Sequence, residues 1–223
     1  MTRLLIALNV VVFIMWHMTE ASHSTFMIHN FLVSWQTLEA GRYWTLLTAV
    51  FSQIAVWHIL INMFVLYTFG RVLEKVLGPI LFLAVFLVCG VISSYVFAWT
   101  SNFMLHQPQL AALGASGAIM GVVLVFALMY PRWRLYILGL IPVPALPGAL
   151  AFMGLDVAGF IWQIHGGDFI PIAHAAHIGG AITGILFYYV YIRPRMNDGL
   201  YKGRGLRQGP RIIPTKYRRV EPN

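Results

Sequence analysis

The chain has 223 residues, of which 59% are hydrophobic and only 10% are charged, and a mean hydropathy of +0.75 excludes an ordinary soluble domain. Its formal net charge of +8 is attributed to membrane topology and attraction to a lipid surface, not to binding of nucleic acid. The single cysteine, Cys89, excludes a disulfide framework and a cysteine-based metal site.

Six apolar segments are candidates to cross a bilayer, which takes about 20 residues. They cover residues 2–18, 55–77, 79–100, 112–130, 135–160 and 173–192. The fifth is irregular because Pro142, Pro144 and Pro147 interrupt it, so this span should be kinked or should begin later. The pattern predicts an all-α membrane protein, with a six-helix bundle over residues 1–193 and a basic, disordered cytoplasmic tail over residues 194–223.

The basic residues fall almost entirely on one side of this topology. Of the 15, only Arg42 lies opposite the termini; the others are Arg3, Arg71, Lys75, Arg132, Arg134 and the nine from Arg193 onward. The positive-inside rule therefore predicts that both termini are cytoplasmic. A cleaved secretory signal is the second interpretation of the first segment. In a bacterium this topology predicts the cytoplasmic (inner) membrane, whereas a mitochondrial address would require a longer leader rich in Arg and Ser.

The long loop on the far side, residues 19–54, is too apolar to be simply solvated. We expect it to form short amphipathic pieces in the membrane interface, with Trp35, Tyr43 and Trp44 at the level of the lipid headgroups.

Polar side chains inside the spans are costly and usually functional, and two of them lie at matching depth. Counting from Tyr130, Ser116 lies about 21 Å up the fourth span, and so about 9 Å below the outer face. Counting from Ile192, His177 in the sixth span lies about 8 Å deep. The two counts are independent, so they support a meeting of the two side chains.

Small residues would let these two helices approach closely. The fourth span carries Gly117 and Gly121 as a G-x-x-x-G pattern, and the sixth carries Gly180 and Gly184 on the face of His177. A serine hydroxyl becomes nucleophilic when a neutral histidine within hydrogen-bond reach takes its proton, so the pair predicts a catalytic dyad. Taken singly, each feature also has a structural interpretation as ordinary helix packing or a hydroxyl bonded to its own helix.

Two further polar residues, His58 and Asn62, lie one turn apart on the second span. Both can donate hydrogen bonds to a developing oxyanion, although Asn62 could equally hold two helices together. The stretch before Ser116, "QPQLAALGA", contains Pro108 and Gly114 and should not be helical throughout. Non-helical backbone at that depth predicts a water-filled cavity open to the non-cytoplasmic side, as hydrolysis requires.

These residues resemble the motifs of the rhomboid intramembrane serine proteases over nearly the whole chain. The matching segments are "HILIN" (58–62), "GASG" (114–117) and "AHIGGAITG" (176–184). The resemblance implies a Ser116 nucleophile and a His177 base without a third carboxylate. It also implies an oxyanion site formed by His58, Asn62 and the backbone at Ser116 and Gly117. Further implications are single-span membrane proteins as substrates, no cofactor and no metal.

Three positions depart from the family pattern and bear on how the loop and the base are held. Gln53 stands where many members have a second histidine, and Gly41 precedes Arg42 where they have a Trp-Arg pair. Met120 stands where some bacterial members place a tyrosine that stacks on the histidine.

A metal site built on the histidines is a weaker alternative. His58, His165, His174 and His177 invite it, but Asp156 in the fifth span and Asp168 in a loop are not expected to join them. His174 is instead interpreted as a polar neighbour one turn above the base.

Three functions therefore remain open. The first is an intramembrane protease, and the second is a non-cleaving rhomboid-like protein that binds membrane helices in quality control or as a chaperone. The least favoured is a histidine-based metal or proton transporter, which would need paired charges along a pore. Neither the oligomeric state nor the identity of the substrate follows from the sequence.

Overall fold

The computed structural model describes residues 1–18, 25–137, 141–167 and 173–197. These residues form eleven α-helices and one two-stranded antiparallel sheet. The helices are α1 Thr2–Met18, α2 Thr25–Phe31, α3 Trp35–Glu39, α4 Thr45–Thr48, α5 Val56–Val65, α6 Arg71–Leu77, α7 Pro79–Phe103, α8 Ser116–Met129, α9 Ala145–Ile164, α10 His174–Phe187 and α11 Arg193–Asn197.

Six apolar helices correspond to the six predicted spans. Short π-helical turns at Leu66–Gly70 and Tyr188–Ile192 join α5 to α6 and α10 to α11. Four helical stretches are long and apolar enough to cross a membrane: Val56–Leu77, Pro79–Phe103, Ala145–Ile164 and His174–Met196. The first and fourth predicted spans appear as the shorter apolar helices α1, of 17 residues, and α8, of 14 residues. The protein is therefore a multi-pass integral membrane protein.

The fourth span begins later than predicted. Gly114 has a φ of +131°, a value that L side chains rarely adopt, and the helix starts two residues after it. Upstream, Ala112 exchanges two backbone hydrogen bonds with Val33, with N–O distances of 2.8 and 3.0 Å. Val33 belongs to the long loop between the first two spans, here called the outer loop. The prediction of non-helical backbone before Ser116 is confirmed.

The fifth span is also shorter than predicted, because residues 134–137 and 141–144 form strands and not helix. Strands β1 (Arg134–Ile137) and β2 (Ile141–Pro144) pair as a hairpin, and α9 starts at Ala145 directly after a proline. Proline fixes φ and lacks an N–H, so it suits the start of a helix and not its interior. The expectation that this span begins later is therefore confirmed, and its helix runs over Ala145–Ile164 in place of the drawn boundaries 135–160.

Helix α8 is the centre of the bundle, since most of its side chains are buried and it packs against α7 and α10. At the contact with α10, glycines leave no room for side chains. A Cβ placed on Gly180 would overlap the carbonyl group of Gly117, and one on Gly184 would lie 2.7 Å from the Cα of Gly121. The two backbones therefore touch along one face of each helix.

The described part of the outer loop is built from short helices, as expected for amphipathic pieces. Ser34 caps α3 in a capping box with Thr37, and Trp16 of α1 donates from Nε1 to Ser52 Oγ at 2.6 Å. Residues 198–223, most of the predicted tail, lie outside the described residues, and α11 continues to Asn197, past the predicted end of the bundle at 193.

Candidate active site

Ser116 is the first residue of α8. The first hydrogen bond of this helix runs from Ile119 N to Ala115 O at 2.9 Å, so the N–H groups of Ser116 and Gly117 precede the helical ladder. The N-terminus of a helix carries partial positive charge, which favours an anion there. The nucleophile candidate is thus placed beside backbone donors that could stabilise an oxyanion.

His177 lies in the first turn of α10, directly across from Ser116. Its Nε2 is 2.9 Å from Ser116 Oγ, and the imidazole is 12% exposed. The close approach of α8 and α10 at their glycines permits this contact, because any Cβ at Gly180 would push the helices apart. The structure brings the two side chains within hydrogen-bonding distance.

A carboxylate completes the arrangement on the other side of the imidazole. Asp156, in the middle of α9, has its Oδ1 2.9 Å from His177 Nδ1 and 2.8 Å from His174 Nδ1. The expectation that no span carboxylate is well placed to join these histidines is wrong, and so is the implied absence of a third carboxylate at His177. The sequence does contain a signal for Asp156, because an ionisable residue inside an apolar span is by default a functional candidate.

The carboxylate also determines which imidazole nitrogen carries the proton. An ionised carboxylate can only accept, so Nδ1 of His177 must donate to Asp156. In the neutral ring Nε2 is then an acceptor, and the hydrogen bond to Ser116 runs from the hydroxyl to Nε2. This is the tautomer that a general base requires.

His58 lies beside the same site. A Cβ placed on Gly114 would be 2.9 Å from His58 Cε1 and 3.7 Å from Ser116 Oγ, so the imidazole borders the backbone next to the serine. The absence of a side chain at Gly114 makes room for this ring.

Asn62 belongs to a buried polar network with residues of α1 and the loop before α5. Its Nδ2 donates to Gln53 Oε1 at 2.8 Å, and Gln53 Nε2 donates to Asn9 Oδ1 at 2.8 Å. Asn9 in turn donates to the backbone carbonyl of Leu5. All three polar side chains are at most 5% exposed, so this network holds α5 against α1. Gln53, which departs from the family pattern, is its central member.

A small cavity of about 20 Å³, enough for a water molecule, lies beside Ser116. Its lining includes two serines of α7, Ser93 and Ser94, and the small residues Ala112, Ala173 and Ala176. Ser93 Oγ donates to the carbonyl of Ala176 at 2.8 Å, which ties α7 to the start of α10. The cavity inside the bundle is therefore lined by the side chains of Ser93, Ser94 and Ser116.

The metal hypothesis receives no support from the arrangement of the histidines. Among the described residues no group of three or more His, Cys, Asp or Glu side chains is arranged to hold a metal ion. His174 and His177 instead contact Asp156 directly, at distances that leave no space for an ion between them. His165 at the end of α9 is exposed, and its Nδ1 bonds to the carbonyl of Ile161.

Comparison with known proteins matches residues 40–194 to the Rhomboid domain family. RHOMBOID-like protein 12, mitochondrial, of Arabidopsis thaliana is 32% identical over 200 residues, which cover 82% of this chain and 55% of that protein. The human Presenilin-associated rhomboid-like protein, mitochondrial, is 32% identical over 197 residues, covering 84% of this chain and 47% of that protein. Rhomboid-like protein 16, chloroplastic, of Arabidopsis thaliana is 26% identical over 196 residues, covering 82% and 59%. The chain thus spans about half the length of the curated relatives it matches.

Proposed function

The chain belongs to the rhomboid family, and from that premise we propose that it is an intramembrane serine endopeptidase with Ser116 as nucleophile and His177 as general base. The observation that carries the proposal is the 2.9 Å contact between Ser116 Oγ and His177 Nε2 at the buried meeting of α8 and α10. The pair has the geometry that nucleophilic catalysis needs before substrate binds.

The proposed reaction proceeds through an acyl-enzyme. Ser116 Oγ attacks the scissile carbonyl carbon while its proton passes to His177 Nε2, and the carbonyl oxygen becomes the oxyanion. The imidazolium then gives that proton to the leaving amine, which breaks the peptide bond. A water molecule, activated by the same imidazole, releases the acyl group and restores the serine.

We assign stabilisation of the oxyanion to the backbone N–H groups of Ser116 and Gly117 and to the neighbouring His58. Each such donor contributes roughly 3 kcal/mol to the transition state. Asn62 donates one N–H to Gln53, and we assign its second N–H to the oxyanion on the family resemblance of its motif.

The proposed substrates are single-span membrane proteins, presented from the lipid bilayer. The small residues around the cavity favour a small side chain at the cleavage site. The concentration of 14 of the 15 basic residues on the side of the termini supports an orientation with both termini in the cytoplasm. The relatives named above are organellar proteins by name, and they give the bacterial inner-membrane assignment no support.

Labelling with a fluorophosphonate probe in liposomes tests the proposal. We expect labelling of the wild type and its loss in Ser116→Ala and in His177→Ala. Ser101→Ala is the matched serine control, because that hydroxyl donates to the Phe97 carbonyl of its own helix, and His165→Ala is the histidine control. Well-folded wild type that takes no probe, or that still takes it in Ser116→Ala, would contradict the proposal and favour a non-cleaving binder.

A further inference from the structure

We infer that Asp156 is a positioning residue for the general base and that helix α9 thereby controls the orientation of His177. The inference rests on the proposed function for its kinetic consequences. Oδ1 of Asp156 accepts from Nδ1 of His177 at 2.9 Å, while the opposite nitrogen of that ring faces Ser116. Oδ1 thus holds the ring in the tautomer and rotation that direct Nε2 at the hydroxyl.

His174 holds the carboxylate in turn. Its Nδ1 reaches the same Oδ1 at 2.8 Å, one helical turn before His177, so two donors from α10 converge on one acceptor from α9. Helix α9 is shaped to accept this ring, because a Cβ placed on Gly159 would lie 2.5 Å from two ring atoms of His174. A glycine at that position keeps the space that the contact needs.

The cost of the carboxylate argues against a purely structural role. Apart from Asp156, the buried residues of α9 are Ala145 and Ala149, and the rest of the helix presents large apolar side chains on its exposed face. A carboxylate among such residues is expensive inside a membrane, and its Oδ2 is buried without a partner among the described residues. An apolar side chain would dock α9 more cheaply, so the carboxylate serves the histidine that it contacts.

This arrangement couples two parts of the molecule. Because α9 carries Asp156 and α10 carries the base, any displacement of α9 removes the acceptor from His177 Nδ1. Packing of α9 against α10 and the correct orientation of His177 are therefore coupled.

The test replaces the carboxylate by side chains of similar size. Asp156→Leu, which has no acceptor, should lower kcat about 10²-fold for a transmembrane substrate, with KM and thermal stability unchanged. Asp156→Asn retains a carbonyl oxygen and should fall between Leu and wild type. Glu39→Gln is the matched control for loss of a carboxylate, because Glu39 is exposed and accepts from Trp35 of its own helix.

The second arm examines His174. His174→Ala should lower kcat severalfold, and His174→Asn should restore it, because the Asn amide nitrogen occupies the place of Nδ1 and can donate to Asp156. Equal activity of the Ala and Asn variants would contradict the role assigned to His174. A wild-type kcat and labelling rate in Asp156→Leu would overturn the whole inference.

A spectroscopic measurement separates this inference from the proposed function. With ¹⁵N-labelled histidine, NMR should report the Nδ1–H tautomer of His177 in the wild type and its loss in Asp156→Leu, whether or not the protein cleaves anything. The same tautomer in both proteins would overturn the inference. If the wild type is inactive but the tautomer depends on Asp156, the proposed function fails and the positioning role stands. If Asp156→Leu does not fold, the tautomer and kcat of the His174 variants decide the question.

Discussion

The contact between α8 and α10 offers the most direct prediction, because a single methyl group should separate the two catalytic side chains. In Gly180→Ala, the new Cβ would lie 2.7 Å from the carbonyl carbon of Gly117 and 3.2 Å from its Cα. Carbon atoms prefer a separation of about 3.5–4.0 Å, so the helices must move apart by about 1 Å.

That movement is large on the scale of the catalytic hydrogen bond. Added to the 2.9 Å between Ser116 Oγ and His177 Nε2, a shift of about 1 Å exceeds the range of a useful hydrogen bond. A misplacement of this size costs about 10²-fold in rate, which corresponds to about 2.7 kcal/mol in activation free energy. Overpacking should also lower the free energy of unfolding by about 1–3 kcal/mol.

The assay is the rate of fluorophosphonate labelling of Ser116 in liposomes, together with the thermal midpoint of unfolding. Gly154→Ala on α9 is the matched control, since nothing lies within 4 Å of a Cβ placed there. Labelling of Gly180→Ala at the wild-type rate would refute the reasoning that the glycine contact sets the distance within the dyad.

Three further predictions concern the surroundings of the site. Gly41 has a φ of +76° and nothing within 4 Å of its Cβ position, so Gly41→Ala should lower the free energy of unfolding by only about 1 kcal/mol. Gly114 has a φ of +131° and lies against the His58 imidazole, so Gly114→Ala should lower the labelling rate as well as stability. Equal effects of the two variants on stability and labelling would contradict this. Gln53→Leu leaves the buried amide of Asn62 without its partner and should lower the free energy of unfolding by about 1–3 kcal/mol, as a shift of the thermal midpoint would report. Cys89 is 0% exposed, so a water-soluble maleimide should modify it only on unfolding, and rapid modification of the folded protein would argue against the packing of α7.

The order and approximate extent of the apolar helices could be predicted because each depends on the composition of its own segment. The first span, predicted over residues 2–18, forms a helix over Thr2–Met18. The errors fall where backbone geometry overrides composition. Residues 135–144 are apolar enough to be counted in a span, but their described parts pair as strands β1 and β2, which suits the two prolines in β2.

The contact of Asp156 with the histidines depends on which face of α9 turns toward α10, and that is a property of the folded bundle. Composition places a carboxylate in the fifth span, but only packing brings its Oδ1 to 2.9 Å from His177 Nδ1.

The candidate pair of Ser116 and His177 could be proposed from depth and glycine spacing alone, since both quantities are periodic properties of single helices. The polar network around Gln53 could not, because its members come from three separate segments.

The sequence by itself determined the membrane class, the order of the apolar helices and the uneven distribution of basic residues, because partition of a segment into lipid depends on that segment's own side chains. Only the tertiary structure decided which polar groups meet. The contacts of Asp156 with His174 and His177 require the rotation and depth of α9 and α10 to agree within about 1 Å. That agreement comes from packing and from the hairpin that precedes α9, and no local pattern of residues encodes it.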